Sequence, residues 1–175
     1  MNNLDKNCCF TGPRPQNLPW QDENGQDTKQ LTACLETQIR QAVDNGYRHF
    51  ISGMAIGVDL YAAQIVLNVK KEQPSLGITL EAAISFPSQP SKWTKTQQTE
   101  YASILSQADK RTVIGQEPST KNFNKRNNYM VDNVSLLIAV KPDRYGGTQR
   151  TIDYAKSKKR KIVVIDPKNL SVTTS

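Results

Sequence analysis

The sequence predicts a single three-layer α/β domain of Rossmann type, with a mostly parallel sheet covered by helices on both faces. Three observations carry this. Short apolar segments alternate with longer amphipathic ones from one end of the chain to the other. Two of the apolar segments, residues 134–140 (VSLLIAV) and 162–165 (IVVI), are nearly unbroken, the mark of strands covered on both sides. The turns that follow several strands carry glycine and lead straight into a helical pattern.

The elements follow in order. Residues 7–11 (NCCFT) form a short strand that ends in Gly12-Pro13-Arg14-Pro15. A polar, turn-rich stretch over 16–27 leads to a helix over 28–45, where Leu31, Leu35, Ile39 and Val43 recur every four residues and give one buried face. Gly46 lies where a left-handed cap would end that helix. Residues 48–52 (RHFIS) are the second strand, and Gly53 opens a turn into a helix running to about residue 71. The third strand lies within 76–86, bounded by Pro74 and Pro87. A helix over 94–108, a strand over 111–114 and a helix over 121–133 come next. The apolar run 134–140, a helix over 147–158 and the run 162–165 complete six strands, whose helical crossovers are right-handed. The domain is expected over 1–168, with a polar tail over 169–175 that lacks regular structure.

At 175 residues, with 37% hydrophobic and 22% charged residues, the chain suits one domain with a sizeable core. No apolar run approaches the ~20 residues that span a bilayer. The start, MNNLDKNCCF, has no basic head followed by an apolar stretch, so no secretory signal is read and a cytoplasmic location is expected. Cys8, Cys9 and Cys34 make a poor disulfide framework and are expected as reduced, small core residues. No cysteine–histidine spacing suggests a metal, and His49 is the lone histidine. The net charge of +7 owes much to Lys156, Lys158, Lys159, Arg160 and Lys161, five charges within six residues. Such a run reads as a solvated helix end favoured by the macrodipole rather than a nucleic-acid footprint.

In a sheet of this kind ligands bind outside the carboxyl ends of the strands, where the crossovers reverse direction. Three glycine-bearing turns fall there: Thr11-Gly12-Pro13-Arg14, the stretch from Ser52, Gly53, Met54 and Ala55 through Gly57 to Asp59, and Tyr145-Gly146-Gly147-Thr148-Gln149-Arg150-Thr151. Glycine lets a ligand approach the main chain, and a helix starting at once offers unpaired N–H groups to an anion. Thr148 and Thr151 add hydroxyls, while Arg14 and Arg150 add planar guanidinium forks suited to phosphate. Tight turns alone would also explain each glycine. No strict GxGxxG occurs, so a dinucleotide fingerprint is not supported.

Residues 9–15 (CFTGPRP), 46–63 (GYRHFISGMAIGVDLYAA), 126–132 (RNNYMVD) and Gly146-Gly147-Thr148 closely resemble the YpsA/YoqJ-like proteins of the SLOG superfamily. That superfamily also includes the DNA-processing protein DprA and the Lonely Guy phosphoribohydrolases. The resemblance covers nearly the whole chain, and its most specific part is SGMAIGVD. It implies a Rossmann-like fold whose glycine turns form a pocket for a nucleotide or nucleotide-derived ligand. Relatives usually carry Gly-His-Arg-Pro where this chain has Gly12-Pro13-Arg14-Pro15, which removes a histidine but keeps the arginine.

Individual residues then divide between ligand and scaffold. Asp59 could accept from a ribose hydroxyl or complement a helix amino terminus. Arg126 could reach a phosphate or sit exposed on its helix, and Asn127 and Asn128 are amide candidates. Trp93 could stack on a base or pack as a lid or core residue, and Trp20 shares that ambiguity. Glu81, inside a strand, reads as a satisfied structural carboxylate.

The first expectation is therefore a domain that binds, senses or sequesters a phosphorylated, nucleotide-derived small molecule, with no cofactor or metal required and no catalytic residue assigned. The second is an N-glycosidic hydrolase like the Lonely Guy relatives, weakened because Gly146-Gly147-Thr148-Gln149-Arg150-Thr151 has no glutamate and Asp153 is the first carboxylate beyond it. The third is DprA-like binding of single-stranded DNA, which needs a basic groove with aromatic platforms; a nucleic-acid partner ranks below a small ligand. A homo-oligomer could use the loop over 16–27 and the helix from Lys121.

Overall fold

The computed structural model describes residues 4–20 and 24–175. After a single 3-10 turn, β1 (Asn7–Thr11) leads through a second 3-10 turn at Pro15–Asn17 to α1 (Gln26–Asp44). There follow β2 (His49–Ser52), α2 (Val58–Glu72), β3 (Thr79–Ile84), α3 (Lys95–Gln107) and β4 (Lys110–Val113). The second half comprises α4 (Thr120–Asp132), β5 (Leu136–Val140), α5 (Gly147–Ser157), β6 (Lys161–Ile165) and β7 (Val172–Thr174). The sheet order is β4-β3-β2-β1-β5-β6-β7, parallel except for β7. One difference from the sequence expectation is the tail. Val172–Thr174 pairs antiparallel with β6, because backbone donors at an open edge accept a strand whatever its side chains.

Strand alternation divides the core. Cys8, Phe10, Phe50, Leu80, Ile138 and Val140 point to the side of α1, α2 and α3, where Leu31, Leu35, Ile39 and Val43 meet them. Cys9, Ile51, Ala83, Leu137 and Ala139 point to the side of α4 and α5. Adjacent Cys8 and Cys9 thus lie on opposite faces, both fully buried, and burial raises both thiol pKa values. Helix α1 ends at Gly46, whose φ of +90° fits the left-handed cap.

The α4 face also holds a polar knot. The Glu81 carboxylate, 1% exposed, accepts from Tyr129 Oη at 2.6 Å, Thr112 Oγ1 at 2.7 Å and His49 Nε2 at 2.8 Å, with Lys110 Nζ at 3.4 Å. Burial alone would raise its pKa, but these partners outweigh burial and hold it at about 2, below its ordinary 4.5. Glu81 is the structural carboxylate the strand position suggested.

The sign of the linkage is fixed by that depression. The stabilisation is present in full above about pH 4.5 and is lost as pH falls toward 2, a contribution on the order of 3 kcal/mol. Urea denaturation should therefore find Glu81→Gln less stable than the wild type at pH 7, with the gap shrinking between pH 4.5 and pH 2. A gap independent of pH would show that the carboxylate's charge is immaterial.

Candidate functional site

The chain runs β1 to β4 outward in one direction, then returns to place β5 beside β1. Crossovers therefore reverse between β1 and β5, and a cleft of about 530 Å³ opens at the carboxyl ends of those strands. The β1 turn supplies Thr11, Gly12, Pro13 and Arg14; the β5–α5 loop supplies Pro142 through Gly146 and the first turn of α5 supplies Gly147, Thr148 and Arg150; α4 supplies Thr120, Phe123, Asn124, Arg126 and Asn127; Ala55 and Asp59 form the floor.

The floor is rigid because the turn after β2 is tied on every side. Met54, fully buried, adopts a φ of +57°, unusual for a side-chain-bearing residue. Its N–H donates to Ser52 Oγ at 3.1 Å, and its carbonyl accepts from Gln89 Nε2 at 2.9 Å. Ser52 Oγ in turn donates to the Asp59 carbonyl at 2.8 Å. Arg126 reaches across from α4 and donates to the Gly53 carbonyl. A β-carbon at Gly53 would lie 2.6 Å from Asp59 Oδ2 and 2.8 Å from Arg126 Cζ, so glycine is required there by space. Gly57, at φ +94°, begins α2 with no side-chain cap. Gly12 is equally constrained, since a β-carbon there would lie 2.5 Å from Val58 Cγ2.

Asp59 and Arg126 are 6% and 4% exposed, respectively. Burial raises the Asp59 carboxyl pKa to about 6, against the opposing pull of Arg126, the Ala55 N–H and Arg14. Burial likewise lowers the Arg126 pKa, and Asp59 opposes that shift. Arg126 is thus a buried keystone rather than an exposed helix arginine. Its Nε also donates to Asn127 Oδ1 at 2.8 Å, and its guanidinium lies over the Phe123 ring, as does that of Arg14.

The opposite wall is open. Helix α5 begins at Gly146 with no side-chain cap, whereas α3 and α4 are capped by Thr94 and Ser119. Nothing lies within 4 Å of a β-carbon built at Gly146 or Gly147. Arg14, Arg144 and Arg150 line the cleft exposed, and among the described residues none of them forms an ion pair. Asp143, by contrast, is paired with Lys168 at 2.9 Å.

Of the residues singled out from sequence, Thr11, Gly12, Arg14, Ala55, Asp59, Arg126, Asn127, Gly146, Gly147 and Thr148 come together around the cleft. Ser52, Gly53, Met54 and Gly57 lie behind it as the scaffold of the turn. Thr151 is buried, its hydroxyl donating to the Gly147 carbonyl at 2.8 Å. Trp93 is elsewhere, edge-on to Tyr101 with ring centroids 5.4 Å apart. Trp20 donates to Thr28 Oγ1 at 2.7 Å. Sequence reasoning did not single out Phe123, Asn124 or Arg144 for the site, and it named Tyr145 only as the first residue of the third turn without giving it a contact; proximity to Gly146-Gly147 was the signal available for Arg144. The basic run 156–161 spans the end of α5 and the start of β6, at the opposite rim. There Arg160 donates to the Val131 and Asp132 carbonyls at the end of α4.

A family model for the YspA SLOG family matches residues 8–170. The chain belongs to that family. It is 33% identical over 138 residues to the uncharacterized SPbeta prophage-derived protein YoqJ of Bacillus subtilis, covering 72% of this chain and 78% of YoqJ. A UPF0398 protein of Bacillus velezensis is 23% identical over 152 residues, covering 85% of this chain and 82% of that protein. In structure, the SLOG fold of this chain is similar to DNA processing protein A of Streptococcus pneumoniae, with a TM-score of 0.59 at 16% identity. It is also similar to that of Helicobacter pylori, at 0.64 and 14%. These matches cover 93% and 94% of this chain but 50% and 66% of the two DprA chains. Among the described residues, no group of three or more His, Cys, Asp or Glu is placed to hold a metal ion, and no helix is long and apolar enough to cross a membrane.

Two predictions test this scaffold. Gly12→Ala should lose about 1–3 kcal/mol in denaturant titration as the new methyl is forced against Val58, and Val58→Ala added to it should recover part of the loss. For the floor, the folded carboxyl of Asp59 titrates above its unfolded value, so ionising it costs stability as pH rises from about 4 through 6. Removing the compensating charge in Arg126→Gln should raise the Asp59 carboxyl further, read by carbon NMR. It should also destabilise the fold more at pH 7 than at pH 5.

Proposed function

We propose that the cleft binds a phosphorylated, nucleotide-derived small molecule, with its phosphates against the amino terminus of α5. One observation carries this reading: three exposed arginines that form no ion pair among the described residues, Arg14, Arg144 and Arg150, share a cleft with an uncapped helix amino terminus. Backbone N–H groups and the helix dipole favour an anion at that point. Guanidinium forks match phosphate oxygens in a bidentate way. Gly146 and Gly147 let the oxygens reach the main chain, and Thr148 adds a hydroxyl donor. Across the cleft, Asp59 and Asn127 line the wall, and this reading assigns them to the ribose hydroxyls. A binding role suits the sparse acid–base equipment: of the two carboxylates lining the cleft, Asp143 is paired with a lysine and Asp59 is buried beside Arg126.

Single-stranded DNA is the second reading. It draws on the H. pylori DprA, whose structure is described as showing a single-stranded DNA binding mode. Phosphate and base chemistry are common to both readings, so length is the discriminating variable.

Calorimetric titration with mono- and dinucleotides should show saturable binding. Arg14→Ala and Arg150→Ala should each weaken it about ten-fold, as expected for a lost charge-assisted hydrogen bond. Thr148→Ala should weaken it by less. Binding that appears only with oligonucleotides and falls steeply with salt would replace this reading with the strand-binding one. Release of a free base during the titration would turn the binder into a hydrolase.

A further inference from the structure

One aromatic residue of the cleft has no part in the proposed phosphate site. Tyr145 sits in the β5–α5 loop immediately before Gly146-Gly147, lines the cleft, and is 70% exposed. It is the most exposed large hydrophobic side chain among the described residues. Other aromatic rings have packing or polar partners. Phe10 stacks on Phe50, Trp93 meets Tyr101, and Phe123 meets Phe86 beneath two guanidinium groups. Trp20, Tyr129 and Tyr154 hydrogen-bond to Thr28, Glu81 and Asp132, and Tyr47 lies beneath Lys6. Tyr145 makes no ring contact among the described residues. An aromatic ring held in water at the mouth of a polar, arginine-lined cleft is stabilised when a second flat π-system covers it.

We propose that Tyr145 is the base-stacking residue of this cleft, so that the ligand is a nucleotide with an aromatic base and not a sugar phosphate or an inorganic polyphosphate. The inference rests on the nucleotide reading and adds to it the class of ligand selected. The position supports it. Tyr145 directly precedes the uncapped start of α5, so a phosphate on the Gly147 and Thr148 amides brings the rest of the ligand past the tyrosine. Stacking of this kind accepts any base, because every base has a π-face. Specificity for one base would then come from the polar side chains of α4, such as Asn124 and Asn127, that line the same cleft.

The test uses adenosine diphosphate, ribose 5-phosphate and inorganic pyrophosphate as probes, titrated into the wild type, Tyr145→Ala, Tyr145→Phe and Arg14→Ala. Exposure of the side chain leaves the fold of the tyrosine variants intact. Tyr145→Ala should bind adenosine diphosphate about ten-fold or more weakly. The same variant should bind ribose 5-phosphate and pyrophosphate as the wild type does, and Tyr145→Phe should match the wild type for all three. In the wild-type complex the adenine protons should shift upfield in the proton NMR spectrum, and in Tyr145→Ala they should not. Unchanged adenosine diphosphate binding by Tyr145→Ala, with binding lost in Arg14→Ala, would overturn the stacking role and leave the phosphate site standing. Equal weakening of all three probes would overturn it too, since the tyrosine would then only order the loop. No binding of adenosine diphosphate by the wild type would remove both readings together.

Discussion

The guanidinium of Arg126 holds this site in shape. It leaves α4 on one face of the sheet and crosses the carboxyl edge to the Gly53 carbonyl in the turn leading to α2, which packs on the other face. Two layers that the sheet would otherwise separate are thereby joined at the cleft. The arrangement places a positive charge where water is excluded, which is costly unless it is compensated. Asp59 compensates it at the price of its own desolvation, so neither group is stable in the core without the other. Phe123 seals the pair on the α4 side by lying under both Arg126 and Arg14. The interior charge is thus balanced by the protein itself, and the charges left over face solvent.

That separation of balanced and unbalanced charge distinguishes scaffold from site. Ser52, Gly53, Met54, Gln89 and Asp59 satisfy one another and leave little for a ligand except the exposed part of Ala55 and the edge of the carboxylate. Among the described residues Arg14, Arg144 and Arg150 form no ion pair, although Arg14 lies over Phe123, and the start of α5 has no side-chain cap. A motif can therefore be the most distinctive stretch of a sequence and still act mostly one layer behind the cleft. SGMAIGVD builds a turn with a left-handed methionine, and of its residues only Ala55 and Asp59 line the cleft.

Most of the fold was legible because each element depends on local pattern. The four-residue spacing of Leu31, Leu35, Ile39 and Val43, the unbroken run 134–140 and the glycine at 46 each fix one element within a residue or two. The site was legible where a turn announced itself by glycine, and on α4 only at Arg126 and Asn127, which the family resemblance pointed to. Strand order is not local, and it decides which turns meet. Trp93 follows β3, which lies two strands from the β1–β5 reversal, so it was drawn into the packing around Tyr101 instead of the cleft. The α4 wall carries no turn signal at all, and only the pairing of β5 with β1 brings Phe123 and Asn124 over the site. The strand at Val172–Thr174 was hidden for a related reason: backbone pairing at an edge needs no apolar pattern.

Pro13, at the place where the family resemblance implies a histidine, ties the β1 turn to the start of α2. The residue is buried, and its carbonyl comes within 3.1 Å of where a β-carbon at Gly57 would stand, so the β1 turn and the start of α2 are in close packing contact. Proline suits such a contact because its φ is already fixed, but it has no N–H to offer an anion. A histidine at this place would add both an amide donor and a ring. With proline there, the β1 turn has one fewer donor, and in the proposed reading the side chain of Arg14 is its principal contact to a negative group. The same reading puts more of the recognition across the cleft at the start of α5, which has no side-chain cap and where, among the described residues, Arg144 and Arg150 form no ion pair.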